Sequence, residues 1–169
     1  MPTPAEDRHY LESALVELKN YLLTDMLFYP LAHPLPRLTL GGMLLAQRRL
    51  QAYEDASPLD LRLDTLRTKW RSAWEKKAAK EAETRINLWR NYLNEYRHND
   101  ELGDYYAHEV RLRVMLELLV AELGKVPAEL TVVDQLLRTR FRDGVFLWDE
   151  ALTSVFSRDD FWFLYGELK

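Results

Sequence analysis

Apolar residues recur along most of this chain at the spacing of an α-helix, and they divide it into amphipathic segments. Most Gly and Pro residues fall between these segments rather than inside them. The pattern predicts five main helices and two short C-terminal ones. Their predicted bounds are about residues 4–27, 39–55, 58–98, 104–123, 128–142, 149–156 and 158–166. We therefore predict a single all-α domain over residues 1–169, folded as a helical bundle.

The longest predicted helix, over residues 58–98, is the central element of this bundle. No Gly or Pro occurs between Pro58 and Gly103, so a continuous helix of roughly forty residues would be about 60 Å long. Ser57, with Pro58 after it and Asp60 in the first turn, is the predicted N-cap. The apolar stripe has a mean spacing of about 3.7 residues, which fits a globular bundle better than a coiled coil.

The middle of this stripe consists of small residues, with Ala78 and Ala82 among lysines and glutamates. Oppositely charged residues follow one another four positions apart, as Lys77, Glu81 and Arg85 do. Charges in this arrangement usually line a solvent-exposed helix face. We therefore expect a solvent-exposed middle between two packed ends. The alternative is close approach by a partner helix, for example from a second copy of the chain.

The first two predicted helices have marked starts and are joined by an apolar segment. Thr3 and Glu6 match a capping box at the start of the first helix. The segment 29–38 contains three prolines and several leucines, so we predict a buried connection; a polyproline ligand for an aromatic groove is the alternative. Gly41 and Gly42 fall in the first turn of the second helix. Their N–H groups could hold an anion, but close packing is the preferred explanation.

The C-terminal part of the chain combines a very apolar helix, over residues 104–123, with an aromatic tail. Gly124 is the predicted stop of that helix, and residues 145–148 are expected to be a strand or a packed loop. Consecutive bulky residues in one helix cannot all face one core, so we predict that some of them form an interaction surface. The candidates for this surface are Phe161, Trp162, Phe163 and Tyr165.

Composition and charge narrow the class of protein. The chain has 169 residues, of which 47% are hydrophobic, enough for a sizeable core. Its net charge of −4 argues against a general nucleic-acid binder, and the absence of Cys excludes disulfides and thiol catalysis. No apolar stretch is long enough to span a membrane and the N-terminus does not resemble a signal peptide, so we expect a cytoplasmic location.

Few residues in this sequence form a pattern typical of a chemical site. Glu95, His98, Asp104 and His108 surround the turn after the long helix, and their spacing allows a metal ion to be held by carboxylate and imidazole groups. A charged, solvated turn with Asp104 as a cap is the preferred interpretation. Because no glycine-rich phosphate loop, dinucleotide-binding pattern or Gly-x-Ser-x-Gly motif occurs, no cofactor is predicted and an enzyme is not indicated.

Three functions from different classes follow from these patterns. The preferred one is a protein–protein interaction or structural module that self-associates, for example as a homodimer, because of the long helix and the aromatic tail. The second is a helical bundle that binds a metal or small ligand, including an enzyme without recognised motifs. The third is nucleic-acid binding through the basic long helix with Trp70, Trp74 and Trp89, although these rings lie on the stripe that is predicted to be buried.

Overall fold

The computed structural model describes all residues, 1–169, and it is mostly helical with one small sheet. The α-helices are α1 (Pro4–Leu22), α2 (Leu40–Gln51), α3 (Ser57–Lys69), α4 (Arg71–Tyr96), α5 (Tyr106–Glu109), α6 (Arg111–Leu123) and α7 (Ala128–Arg140). Short 3₁₀ helices cover Asp100–Tyr105, Glu150–Ser154 and Trp162–Leu164. Strands β1 (Phe141–Phe146) and β2 (Tyr165–Leu168) pair antiparallel. The predominantly helical class is confirmed, whereas the sheet departs from an all-α fold.

The prediction of one helix of about forty residues is wrong, because the chain bends at Trp70. Helix α3 ends one residue earlier, and α4, with 26 residues, is the longest helix. The φ and ψ angles of Trp70 are −111° and 37°, outside the helical region. The amines of Lys19 and Lys69 lie 5.5 and 5.8 Å from the centroid of its ring. Since neither Gly nor Pro is present, we attribute the bend to packing of this ring beside α1.

The start of α3 uses a different cap from the predicted one. Ser57 is the first residue of the helix, and its N–H donates to Oδ1 of Asp55 at 3.0 Å. Ala56 occupies the N-cap position without a side-chain capping bond, and Asp55, just before it, satisfies the N–H of Ser57. Asp60, which was expected to complete a capping box, instead accepts a hydrogen bond of 2.7 Å from the Gln47 side chain on α2.

The chain divides into two compact units, Met1–Glu81 and Ala82–Lys169. The prediction of one domain over residues 1–169 stays a prediction. In the first unit, α1 packs against α2 and α3. The predicted capping box of Thr3 and Glu6 is present at the start of α1, with the backbone and side-chain bonds of both residues in place.

Several other helices are shorter than the pattern predicted. Helix α1 ends at Leu22 instead of near 27, and α2 ends at Gln51 instead of 55. The helix predicted over 104–123 is divided among a 3₁₀ turn, α5 and α6, while Gly124, with φ of 71°, ends α6 as predicted. The helices predicted over 149–156 and 158–166 are short 3₁₀ turns followed by β2. Apolar periodicity does not fix the exact residue at which a helix ends.

The small sheet explains why the predicted C-terminal helix is absent. Arg142 pairs with Glu167 and Asp143 with Gly166 in the antiparallel register. A Cβ atom on Gly166 would collide with the carbonyl oxygen of Arg142 and the ring of Phe141, so this close contact requires glycine. Gly166, which was predicted to stop a helix, therefore lies inside a strand.

Candidate interaction surface

The alanine-rich middle of α4 is buried, which corrects the prediction of a solvent-exposed middle. Ala78 and Ala82 are buried within the chain, and so are the charged residues Lys77, Glu81 and Arg85. Their positions share one face of the helix. Burial of a charge costs free energy unless hydrogen bonds or opposite charges compensate it. These charged side chains therefore need partners inside the structure.

Glu81 has no exposed surface, and its carboxylate binds the first N–H groups of α2. Oε1 accepts from the Leu40 N–H and Oε2 from the Gly41 N–H, each at 2.8 Å. These groups have no partner inside the helix and carry partial positive charge, so a carboxylate is favourable there. The position where the sequence suggested a bound anion is thus filled by a side chain of the chain itself. A Cβ atom on Gly42 would lie 2.8 Å from Oγ1 of Thr39, so close packing explains that glycine.

Lys77, one turn before the buried glutamate, holds the segment that follows α1. Its ammonium donates to the carbonyl oxygens of Thr24 and Met26, at 2.5 and 2.7 Å. The same ammonium lies 4.6 Å from the centroid of the Tyr21 ring, whose hydroxyl donates to the Leu27 carbonyl oxygen at 2.9 Å. Three backbone carbonyls of this segment are therefore bonded to buried side chains.

Three large apolar side chains of the same segment are partly exposed. Leu23 is 59% exposed, Met26 45% and Phe28 38%. We call these three residues the apolar surface. The three residues lie within six positions of one another, with the exposed Asp25 between them, on a backbone that is hydrogen-bonded from inside.

The connection over 29–38, which was predicted to be buried, is mostly exposed or half-buried. Leu38 is its only buried residue, while Leu31 and Leu35 are half-buried. Tyr29 and Leu38 exchange two backbone hydrogen bonds, of 3.0 and 2.8 Å, and close the loop. The peptide bond before Pro34 is cis. The backbone polar groups of this proline-rich loop can reach water, which explains why a largely exposed connection is tolerated here.

The four candidate metal ligands do not form a ligand group. Nowhere in the structure do three or more His, Asp or Glu side chains lie close enough together to hold a metal ion. Glu95, His98 and Asp104 are exposed around the turn after α4. His108 lies on α5, where its Nε2 accepts a hydrogen bond of 3.3 Å from Arg111. The geometry is that of an exposed polar turn.

Most of the aromatic tail that was predicted to form an interaction surface is buried in the second unit. The buried members of that set are Phe161, Phe163 and Tyr165. Trp162 is half-buried, with the Arg138 guanidinium 3.8 Å from its ring centroid. The prediction that consecutive aromatic rings face different sides assumed that residues 158–166 form one helix. A 3₁₀ turn followed by a strand changes the side-chain directions, so neighbouring rings can enter the same core.

Buried tyrosines hold irregular backbone in the second unit. The Tyr106 hydroxyl donates to the Phe163 carbonyl oxygen at 2.6 Å, and the Tyr92 hydroxyl donates to that of Leu102 at 2.8 Å. Burial raises the pKa of both phenols above its ordinary value. Neutral hydroxyl donors thus bind backbone carbonyls here, as the Lys77 ammonium does in the first unit.

A buried arginine in the second unit is fully engaged in structural contacts. Arg113 binds both carboxylate oxygens of Asp134, at 2.8 and 2.9 Å, and one oxygen of Glu117 at 2.8 Å. Its guanidinium lies 4.4 Å from the Phe163 ring centroid. Burial alone would lower the pKa of Arg113, but the bonds to Asp134 and Glu117 outweigh that effect and raise it. The arrangement holds α6, α7 and the tail together.

Two of the three tryptophans that were considered for nucleic-acid stacking are buried. Trp74 and Trp89 have no exposed surface, and Trp70 is half-buried. Stacking on a base requires an exposed ring face, so Trp70 is the only one of the three that offers part of its ring. The Trp89 indole N–H is buried without a hydrogen-bond partner, and its ring stacks on Tyr92 with centroids 5.5 Å apart.

Comparison of the chain with protein-family models, with curated proteins and with solved structures finds no match. No helix in the structure combines the length and the apolar character that crossing a membrane requires. The functional argument therefore depends on the geometry of this chain alone.

Proposed function

We propose that this chain is a protein–protein interaction module that self-associates through the apolar surface of Leu23, Met26 and Phe28. The main support is that Lys77 and Tyr21 bind the backbone of this segment from inside while Leu23, Met26 and Phe28 remain partly exposed. Burial of exposed apolar area against a second copy would contribute about 25 cal/mol per Å². A backbone that is already held in place loses less conformational entropy on binding.

A small-ligand function has narrower support. It depends on the Trp89 indole N–H, the only buried side-chain polar atom without a hydrogen-bond partner. Buried N–H groups without partners cost roughly 1–3 kcal/mol, which a ligand oxygen could recover. Because the ring is packed against Tyr92 and Tyr106, a ligand would have to displace those rings. We therefore place self-association first.

Sedimentation velocity over a range of concentrations tests the proposal. The unaltered chain is expected to sediment faster as its concentration increases. Phe28→Asp should raise the dissociation constant at least roughly tenfold, because burying an unpaired carboxylate costs more than about 1.4 kcal/mol. Val132→Asp, at an apolar position on α7 that is 61% exposed, compared with 38% for Phe28, is the control and should leave association unchanged.

Two results would contradict the proposal. One is an unaltered chain that remains monomeric at concentrations up to about 1 mM, where even an association free energy of about 4 kcal/mol is detectable. The other is an equal loss of association in Phe28→Asp and Val132→Asp. Circular dichroism and urea unfolding of each variant establish that the folded state is retained.

A further inference from the structure

The apolar surface by itself is too small for a stable interface. Side chains of the size of Leu23, Met26 and Phe28 present at most about 200 Å² each, of which between 38% and 59% is exposed here. Stable interfaces bury about 800 Å² on each partner. The self-association proposed above therefore requires further exposed area next to these residues.

The segment that directly follows the apolar surface is an exposed loop that is closed at its base. Tyr29 and Leu38 form the closing bridge, and we call residues 30–37 between them the proline loop. Six of its eight residues are exposed, and the other two, both leucines, are half-buried. Pro30 lies two residues after Phe28, so the proline loop adjoins the apolar surface through the chain itself.

The backbone of the proline loop is restrained by hydrogen bonds and by its prolines. The buried Tyr10 side chain donates its hydroxyl to the Arg37 carbonyl oxygen at 3.1 Å, at the end of the loop. Within the loop, the Leu35 N–H donates to the Ala32 carbonyl oxygen at 3.0 Å. Each of the three prolines fixes its own φ angle near −65°. A loop that is already ordered loses less conformational entropy when it contacts a partner.

The apolar surface and the proline loop carry opposite charges. Asp25 is the only charged residue within 23–28, and Arg37 is the only Lys, Arg, Asp or Glu in the proline loop. Both are exposed and neither forms a salt bridge, although Asp25 attracts the buried Lys77 ammonium at longer range. Two identical apolar surfaces in contact would bring two Asp25 carboxylates together, and these repel each other. Contact between the apolar surface of one copy and the proline loop of another instead places Asp25 beside Arg37.

We propose that two copies of this chain form a closed dimer in which the proline loop of each copy packs on the apolar surface of the other, with Arg37 beside Asp25. The inference depends on the proposed self-association and identifies the second surface involved. Because the two surfaces adjoin each other in one chain, a two-fold axis between them forms both contacts at once. No surface of either kind is then left unoccupied, so association stops at two copies. The two pairs of opposite charge orient the copies as they meet.

Reversal of the two charges tests this pairing. Arg37→Asp or Asp25→Arg alone turns both attractive pairs of the dimer into repulsive ones. Each single variant should therefore show a dissociation constant about tenfold larger than that of the unaltered chain in sedimentation velocity. The double variant restores both pairs with the charges exchanged, so its dissociation constant should return to within about threefold of the unaltered value. The associated species should have twice the 20.0 kDa mass of one chain.

Arg62→Asp is the matched control for a general effect of net charge. Arg62 is exposed on α3 and forms no salt bridge, and its replacement changes the net charge by the same amount as Arg37→Asp. This control should leave association unchanged. Circular dichroism and urea unfolding of every variant establish that the folded state is retained.

The possible results separate this inference from the proposed function. Unchanged association in Arg37→Asp, with association still lost in Phe28→Asp, would overturn the inference and leave the proposed function intact. A double variant that associates as weakly as Arg37→Asp, an equal loss in Arg62→Asp, or complexes larger than a dimer would also overturn it. An unaltered chain that does not associate at all would overturn both proposals.

Discussion

Both compact units hold irregular backbone segments with buried tyrosine hydroxyls, and the first unit uses buried charged side chains as well. In Met1–Glu81, a buried ammonium binds two carbonyl oxygens and a buried carboxylate binds two N–H groups. In Ala82–Lys169, carbonyl oxygens are bound by the hydroxyls of buried tyrosines. Hydrogen bonds to charged groups are stronger than neutral ones, whereas tyrosine rings bury more apolar area.

This difference has a consequence for the surface of each unit. Where rings bind the backbone, the apolar residues of the tail can enter the core beside them, and most of them do. Where Lys77 and Tyr21 bind the backbone, Leu23, Met26 and Phe28 stay partly exposed. The unit that binds backbone groups with charged side chains in addition to tyrosines is the one that contains this apolar surface.

Removal of the buried carboxylate should have the largest effect. Glu81→Ala leaves the Leu40 and Gly41 N–H groups without partners, and we expect a loss of roughly 3–5 kcal/mol in the free energy of unfolding. Urea unfolding followed by circular dichroism measures it. Glu83→Ala, at an exposed position on the same helix, should change stability by no more than about 0.5 kcal/mol. Equal effects of the two substitutions would show that the contacts of Glu81 contribute little.

Removal of the buried ammonium should have the next largest effect. Lys77→Met keeps most of the aliphatic chain but leaves the Thr24 and Met26 carbonyl oxygens unpaired, so we expect a loss of roughly 2–3 kcal/mol. Lys76→Met is the matched control and should be nearly neutral. Hydrogen exchange should also become faster over residues 23–28 in Lys77→Met alone. Unchanged exchange there would show that this lysine does not hold the segment.

Removal of a buried phenol hydroxyl should have a smaller effect. Tyr106→Phe deletes one neutral hydrogen bond, to the Phe163 carbonyl oxygen, and we expect a loss of about 1 kcal/mol. Tyr105→Phe, at the exposed neighbouring position, should be neutral within about 0.5 kcal/mol. Urea unfolding of both variants provides the comparison. A loss in Tyr106→Phe as large as that in Glu81→Ala would remove the distinction between charged and neutral contacts.

Alkaline pH should affect the two kinds of contact with opposite sign, and this is the smallest expected effect. The raised pKa of Tyr106 makes its contribution to stability complete below about pH 10 and reduces it as the pH rises towards the folded-state value. The lowered pKa of Lys77 means that stability increases with pH between that value and the ordinary pKa of about 10.4. We therefore compare how the urea midpoint falls as the pH rises. The fall should be less steep in Tyr106→Phe than in the unaltered chain, and steeper in Lys77→Met. The reverse order would contradict the assignment.

Features that depend on a few neighbouring residues could be predicted from the sequence. The capping box of Thr3 and Glu6 and the stop at Gly124 need only local hydrogen bonds or a positive φ angle, and both are present. The predominance of helix could also be predicted, because apolar periodicity depends on residues that are close together in the sequence. The large apolar residues at the two ends of the α4 stripe, such as Trp74 and Trp89, are buried as predicted, whereas its middle was wrongly expected to be exposed.

Features that depend on tertiary contacts could not be predicted in this way. The bend at Trp70 has no Gly or Pro to indicate it, and strand β2 depends on a close approach at Gly166. Lys77 and Glu81 resemble a solvated ion pair in the sequence, but each binds backbone groups far away in the chain. Aromatic residues of the tail resemble an interface because the turn that directs them inward is not periodic. For Lys77 and Glu81, the sequence does not show which distant backbone groups need a hydrogen-bond partner.

Hydrogen–deuterium exchange of the unaltered chain at a low and a high concentration tests the central claim most directly. The account predicts that raising the concentration slows exchange over residues 23–28, which contain the apolar surface. Exchange in α7, which carries the control position Val132, should be unchanged. Exchange rates over residues 23–28 that are independent of concentration, in a range where the chain is shown to associate, would contradict the claim.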